Sequence, residues 1–405
     1  METNKKELKD YEIPVLSNYI LDATQIIQSD SDIQIYTGIE INTKEKVVFK
    51  LKQKTSHDSY YILQEGLIYK ELKGIKRIPK LYTAGEQGNY NILITELLGE
   101  SLKMLLKSVG EKFSLATTLK ISIQVLNIIE EIHKKGFVLR YLKPGNMVIG
   151  RGENKDYIYL IDFEIAKKYI KYGEHILYKV DKRIKGNRDF ISLNTHLGKE
   201  ISRRDDIESL GYNLIYFMKG KLPWSHLYDS RLILFQKMKT SIDELCEGLP
   251  EEFEEFINYS KELKFEQEPD YKYLKELLIK AGEKNGIDIN KVKYDWDIKN
   301  EEIKEKEEKM NKTEEDKRNT KEEEKEVEGI KENKERIGNI IKVEKKIKND
   351  KTGEDEEIKK NEENKDEESY IDKAKEDKEI KQFEKIRKDK NYDGFDVEKK
   401  IKKAE

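Results

Sequence analysis

A chain of 405 residues has room for two or three ordinary domains, and its composition is too uneven for one uniform globule. The 82 acidic and 79 basic residues nearly cancel and are interspersed, so no basic patch asks for nucleic acid. Cys246 is the only cysteine, which excludes an internal disulfide framework or a cysteine-based structural zinc site and favours a reducing compartment.

Residues 1–10 read as an N-terminal extension with several charges and no apolar segment of the signal-peptide kind. From residue 11 to about 79 the pattern is strand-like. Short β-branched runs at 33–39 and 46–51 predict strands, and residues 60–72 predict a helix. From Ser101 onward helices take over. Leu115, Leu119, Ile123, Leu126, Ile129 and Ile132 recur at spacings of three and four, and Ser114 is placed to cap that helix with its hydroxyl. Short strands are predicted at 147–149 and 157–161 around the polar turn at 150–154. The pattern as a whole is α+β: a small β-rich lobe followed by a mainly helical one.

All six prolines and both tryptophans lie at or before Trp296. Residues 298–405 are dominated by Lys, Glu, Asp and Asn, with too few apolar side chains to offset the entropy of ordering them. Ile330/Ile337 and Ile340/Ile347 have heptad spacing, but Gly329, Gly338 and Gly353 interrupt it, so a sustained coiled coil is not predicted. Glu and Lys three or four apart support transient helix, and a disordered or partly helical tail is expected. No stretch approaches the roughly 18 apolar residues of a membrane span, and the C-terminus offers no prenylation cysteine. A soluble protein of the cytoplasm or nucleus is expected.

Three runs are specific. Residues 194–212 read NTHLGKEISRRDDIESLGY and are followed by Leu222-Pro223-Trp224; residues 245–278 read LCEGLPEEFEEFINYSKELKFEQEPDYKYLKELL; residues 90–102 read YNILITELLGESL. In order and spacing they closely resemble the casein kinase 1 family of Ser/Thr protein kinases over about residues 11–297. The resemblance implies a bilobal protein-kinase fold with an ATP cleft between the lobes. Lys50 in Val47-Val48-Phe49-Lys50 then matches the lysine that holds the α and β phosphates, and Glu65 the helix carboxylate that orients it. Asp162 and Asn146 match the Mg²⁺ ligands. Ile27, Ile35, Val48, Thr95, Glu96, Leu98 and Val148 would line the nucleotide site, and Asp206 would grip the catalytic-loop backbone.

Against that pattern, residues 139–146 read Leu-Arg-Tyr-Leu-Lys-Pro-Gly-Asn, so Tyr141 stands where the family has the catalytic aspartate. A base at that position must accept the substrate hydroxyl's proton, and a phenol with an ordinary pKa near 10 is protonated at neutral pH. Lys143, which remains, could steady a phosphate. Phe163 is followed by Glu164 in place of the usual glycine, which restricts the backbone and adds negative charge. Gln28, Asp30 and Ile33 fall at the three glycine positions of the phosphate-covering loop, where side chains hinder close approach and an aspartate repels phosphate. Weakened binding of ATP and Mg²⁺ is expected.

The family's preference for acidic or phosphorylated substrates rests on basic residues that are altered here. Asp189 falls where an arginine is expected, beside Arg188, and Leu232, Ile233 and Phe235 fill a stretch the family makes basic. An anion site is expected to be lost. Leu232, Ile233 and Phe235 read as a buried helix face, with an exposed apolar patch for a partner as the alternative. Three functional readings follow: a catalytically impaired pseudokinase acting through protein partners; an active but atypical Ser/Thr kinase that transfers the ATP γ-phosphate to protein; and a scaffold driven by the tail. Partner identity and oligomeric state are not legible.

Overall fold

The computed structural model describes residues 12–29, 33–56 and 58–349. The chain divides into two units, Met1–Asn311 and Lys312–Glu405. Within the first, an N-terminal lobe is built on one antiparallel sheet of β1 (Glu12–Val15), β2 (Tyr19–Ser29), β3 (Ile33–Glu40), β4 (Lys46–Gln53), β5 (Leu81–Gln87) and β6 (Tyr90–Glu96), in the order β1-β2-β3-β4-β6-β5. Alternation along β4 decides its two faces. Val47, Phe49 and Leu51 are buried with Val15, Leu21, Ile92 and Ile94, which leaves Val48 and Lys50 on the opposite face.

The single helix of this lobe among the described residues, α1 (Tyr60–Glu71), lies against β4, β5 and β6. Gly66 permits the approach: a Cβ there would stand 2.5 Å from the Cβ of Ala84. That close seat carries its neighbour Glu65 into the interior, only 1 % exposed. The expected strands at 33–39 and 46–51 and the helix at 60–72 are present with ends moved by a residue or two, the usual uncertainty of element boundaries.

The second lobe is helical. It contains α2 (Leu102–Ser108), α3 (Leu115–Lys134), α4 (Leu193–His196), α5 (Arg203–Lys219), α6 (Ser230–Lys239), α7 (Ile242–Cys246), α8 (Glu251–Glu262) and α9 (Tyr271–Lys284). Ser114 caps α3 by accepting from the Thr117 N–H. Leu119, Leu126, Ile129 and Ile132 of the predicted stripe are fully buried, and Leu115 and Ile123 pack at its edge. Between α3 and α4 come β7 (Phe137–Val138), β8 (Met147–Ile149) and β9 (Ile158–Leu160), with a 3₁₀ turn at Pro144–Asn146. The antiparallel β8–β9 pair and the polar turn within it sit where the sequence pattern puts them.

After α9, Tyr294 and Trp296 are buried in the main core with their rings stacked at 4.2 Å, and the Asp295 carboxylate accepts from both the backbone N–H and the hydroxyl of Ser114. There α10 (Asp295–Asn349) begins. Its sequence has no proline and repeats Glu-to-Lys pairs at the favourable four-residue spacing, as in Glu302/Lys306, Glu305/Lys309 and Glu308/Lys312. Residues 350–405, and the expectation for that part of the tail, lie outside the described residues. Among the described residues no helix is long and apolar enough to cross a membrane.

One expectation is corrected here. Of the three apolar residues read as a buried helix face on α6, only Ile233 is buried, at 2 % exposure; Leu232 and Phe235 are 54 % and 63 % exposed, and Met238 is exposed beside them. The fully buried residues of the ten-residue α6 are Ile233 and Lys237, one turn apart.

Candidate active site

β4 and α1 bring the first two groups together: Lys50 Nζ lies 2.8 Å from Glu65 Oε2. The loop after β9 adds two more carboxylates, Asp162 Oδ1 at 3.1 Å and Glu164 Oε2 at 3.4 Å from the same nitrogen. Glu65 is fixed on both sides, because its other oxygen accepts from the Phe163 N–H at 3.1 Å. Asp162 has a left-handed backbone, φ 67°, which turns the chain so that Phe163 enters the core edge-on to Tyr69 while the carboxylates on either side face Lys50. Burial pushes the Glu65 carboxyl up to about 7 against the opposing pull of Lys50. Burial also disfavours the Lys50 ammonium, but Glu65, Asp162 and Glu164 outweigh it and hold the lysine well above its ordinary value.

The loop from Leu139 to Asn146 is held from below by Asp206 on α5. One Asp206 oxygen accepts from the Leu139 N–H at 2.7 Å and the other from the Arg140 N–H at 2.9 Å. His133 joins the first oxygen through Nε2 at 2.9 Å and reaches the Tyr271 hydroxyl through Nδ1 at 2.7 Å. Gly186, at φ 108°, lies so close to this loop that a Cβ there would stand 2.5 Å from the Arg140 carbonyl oxygen. Leu139 is buried in the same core as Phe163.

Tyr141 occupies the next position. Its hydroxyl accepts from Lys143 Nζ at 2.9 Å, and the ammonium stands 4.0 Å from the centre of the tyrosine ring. Asn146 donates through Nδ2 to the Tyr141 carbonyl at 3.0 Å, which ties the loop back on itself. Tyr141, Asn146 and Asp162 line one small cavity of about 10 Å³, enough for about one water. An amide oxygen and a carboxylate beside one cavity are the hard oxygen ligands that suit Mg²⁺, so Asn146 and Asp162 fit the expected metal. The described acidic groups whose oxygens converge within 4.8 Å are instead Glu65, Asp162 and Glu164, around Lys50.

The strand register places most of the expected nucleotide-site residues. Ile35 stands opposite Lys50, and Thr95 opposite Val48, so these four share the face that β4 turns away from the sheet's buried cluster. Glu96 pairs with Val47 on the other face, and its carboxylate accepts from the Lys80 N–H. Leu98 and Val148 pack together with Tyr159. Ile27 is exposed in an irregular stretch of β2, where the register shifts between Ile26 and Gln28. Gln28 pairs with Ile35 and Ile33 with Lys52, so the altered glycine positions flank the β2–β3 turn. Asp30 itself lies outside the described residues.

Sequence reasoning missed a second site. A cavity of about 250 Å³ is lined by Arg140, Lys167, Lys182, Arg183, Lys185 and Lys199, with Thr195, Glu200 and Ile201. Glu200 answers Lys167 at 2.7 Å and Lys182 at 3.6 Å, so the lining keeps a surplus of positive charge. The buried Nε of Arg140 has no hydrogen-bond partner among the described residues. The local run Lys182-Arg183-Ile184-Lys185 carried the available signal. Where an anion site was expected to be lost, Arg188 donates to the Tyr228 carbonyl, and the buried Lys237 ammonium donates to the carbonyls of Arg188 and Ile191.

A lysine clamped by a helix carboxylate, an aspartate on the following loop and a buried aspartate bracing a backbone turn form a phosphoryl-transfer framework with an altered side chain at its centre. A family model for the protein kinase domain matches residues 31–327. That match covers more than half of the chain and takes in Lys50, Asp162 and Asp206 alike, so the chain belongs to the protein kinase family.

Proposed function

We propose that this chain is a casein kinase 1-like member of the family that has lost most of its capacity for phosphoryl transfer and acts by binding protein partners. Tyr141 carries the reading. At the position of the catalytic carboxylate it offers a phenol whose oxygen already accepts a hydrogen bond from Lys143, whereas the reaction needs an ionised acceptor free to take the substrate's proton. Loss of such a base costs about 10² to 10⁴ in rate.

The basic cavity around Arg140 supports the choice of partner. Six cationic side chains facing one carboxylate suit an acidic or phosphorylated protein segment, and an arginine Nε without a partner among the described residues is a donor for one oxyanion oxygen. A second reading, an active atypical Ser/Thr kinase, draws on the intact 2.8 Å pair between Lys50 and Glu65. Transfer of labelled γ-phosphate from ATP to casein separates the two. Transfer equal to that of a Lys50→Met control is expected, and a rate clearly above the control would favour the second reading. The lone, buried Cys246 and the absence of a membrane-spanning helix among the described residues support the proposal of a cytoplasmic or nuclear setting.

A further inference from the structure

The Lys50 ammonium has three N–H donors, and it faces three carboxylates: Glu65 at 2.8 Å, Asp162 at 3.1 Å and Glu164 at 3.4 Å. We propose that Glu164 is a built-in competitor for nucleotide phosphate: its carboxylate takes the third donor of Lys50, and a phosphate oxygen reaches the lysine only when that pair opens. The inference needs only the family's nucleotide cleft. It does not depend on whether Tyr141 abolishes transfer.

The three partners are not equivalent. Glu65 is anchored through its second oxygen to the Phe163 N–H and is 1 % exposed, so it stays. Asp162 sits on the turned backbone that orients the loop. Glu164 makes the longest contact with Lys50, and its side chain, 18 % exposed, can rotate towards water; Asp162 is no less exposed, at 23 %, but its contact is shorter, 3.1 Å, and it sits on the left-handed turn beside the Phe163 N–H that Glu65 anchors. It is therefore the partner that gives way. The competitor is also of the right chemical kind, since an anionic oxygen near the lysine imitates what an α- or β-phosphate offers. A glycine at this position would leave one donor of Lys50 open.

Competition at Lys50 acts on phosphate and leaves the nucleoside alone, which sets the test. ADP and adenosine are titrated by calorimetry, with EDTA present to remove divalent metal, into the wild-type chain and into Glu164→Gly and Glu164→Gln. Unchanged circular dichroism and cooperative melting establish that both variants are folded. The expected result is that Glu164→Gly binds ADP about tenfold tighter than wild type while adenosine changes by less than about twofold, with Glu164→Gln in the same direction. ADP affinity unchanged in both folded variants, equal tightening of ADP and adenosine, or no ADP binding by either variant at millimolar concentration would overturn the proposal. Phosphate transfer by the wild-type chain would count against the reading of Tyr141 and leave this proposal standing.

Discussion

Two sides of one loop differ sharply. Beneath it, Asp206 accepts from two consecutive backbone amides and is itself held by His133 and, through it, Tyr271. Above it, the side chain at the position that would meet the substrate is Tyr141, which among the described residues pairs with its near neighbour Lys143. The groups that shape the backbone are buried and mutually satisfied; on the proposed reading, the groups that would do chemistry are replaced or occupied. A fold can keep its scaffold after the reactive side chain has gone, because the two answer to different physics: buried polar groups must stay paired, whereas an exposed reactive group is held only by the reaction it performs.

Removing the scaffold should therefore cost far more than altering the chemistry. Asp206→Ala leaves a buried and a part-buried backbone donor and a buried His133 nitrogen without this partner, and is expected to lower stability by about 3 kcal/mol or more in a denaturant titration. Tyr141→Phe loses one hydrogen bond at a partly buried site and is expected to cost no more than about 1 kcal/mol. Equal losses would dissolve the contrast.

The basic cavity sharpens the contrast from the other direction, since it would be a working surface that has survived. Lys182→Glu with Lys185→Glu is expected to weaken binding of a phosphorylated acidic peptide by about tenfold or more in fluorescence anisotropy, with a shallower salt dependence than wild type. Peptide binding that ignores both substitutions would place the partner elsewhere.

The smallest effect concerns His196, buried at the end of α4 with its Nε2 3.2 Å from the Ser230 hydroxyl of α6. Burial, followed by the nearby Lys237 and Arg188, depresses its pKa to about 3. The unfolded chain takes up this proton below about 6.5, so the stability due to a neutral His196 is full above that pH and is lost as pH falls toward 3. Glu65 and Asp205, both raised to about 7 by burial, act with the opposite sign, because the folded state holds their protons while the unfolded chain releases them. The readout is thus the difference between wild type and His196→Gln. Wild type should lose a few degrees more of Tm between pH 6.5 and 4 than the variant. Parallel curves would show that His196 does not contribute.

Much of the scaffold was legible because it rests on short-range pattern. Alternation exposed β3 and β4, the three-and-four spacing exposed α3, and a serine at the right offset marked its start. Lys50, Glu65, Asp162 and Asp206 could be named through motif context, although the distances among them could not. What escaped is what distant segments make together. Glu164 was readable as a missing glycine, but its approach to a lysine 114 positions earlier was not. The basic cavity joins the catalytic loop to segments around Lys167, Lys182 and Lys199, and no local count of charge reveals that convergence. On α6, apolar character suggested burial, yet the helix turns Ile233 and Lys237 inward and leaves Leu232 and Phe235 in solvent.

The most direct test of the proposed loss places an aspartate at position 141 of the kinase scaffold. Initial rates of γ-phosphate transfer from MgATP to casein are compared for the wild-type chain, Lys50→Met, and Tyr141→Asp combined with Glu164→Gly. The prediction is that wild type matches Lys50→Met and that the double variant exceeds both by about 10² or more, the lower range for a positioned base. Transfer by the wild-type chain clearly above Lys50→Met would contradict it.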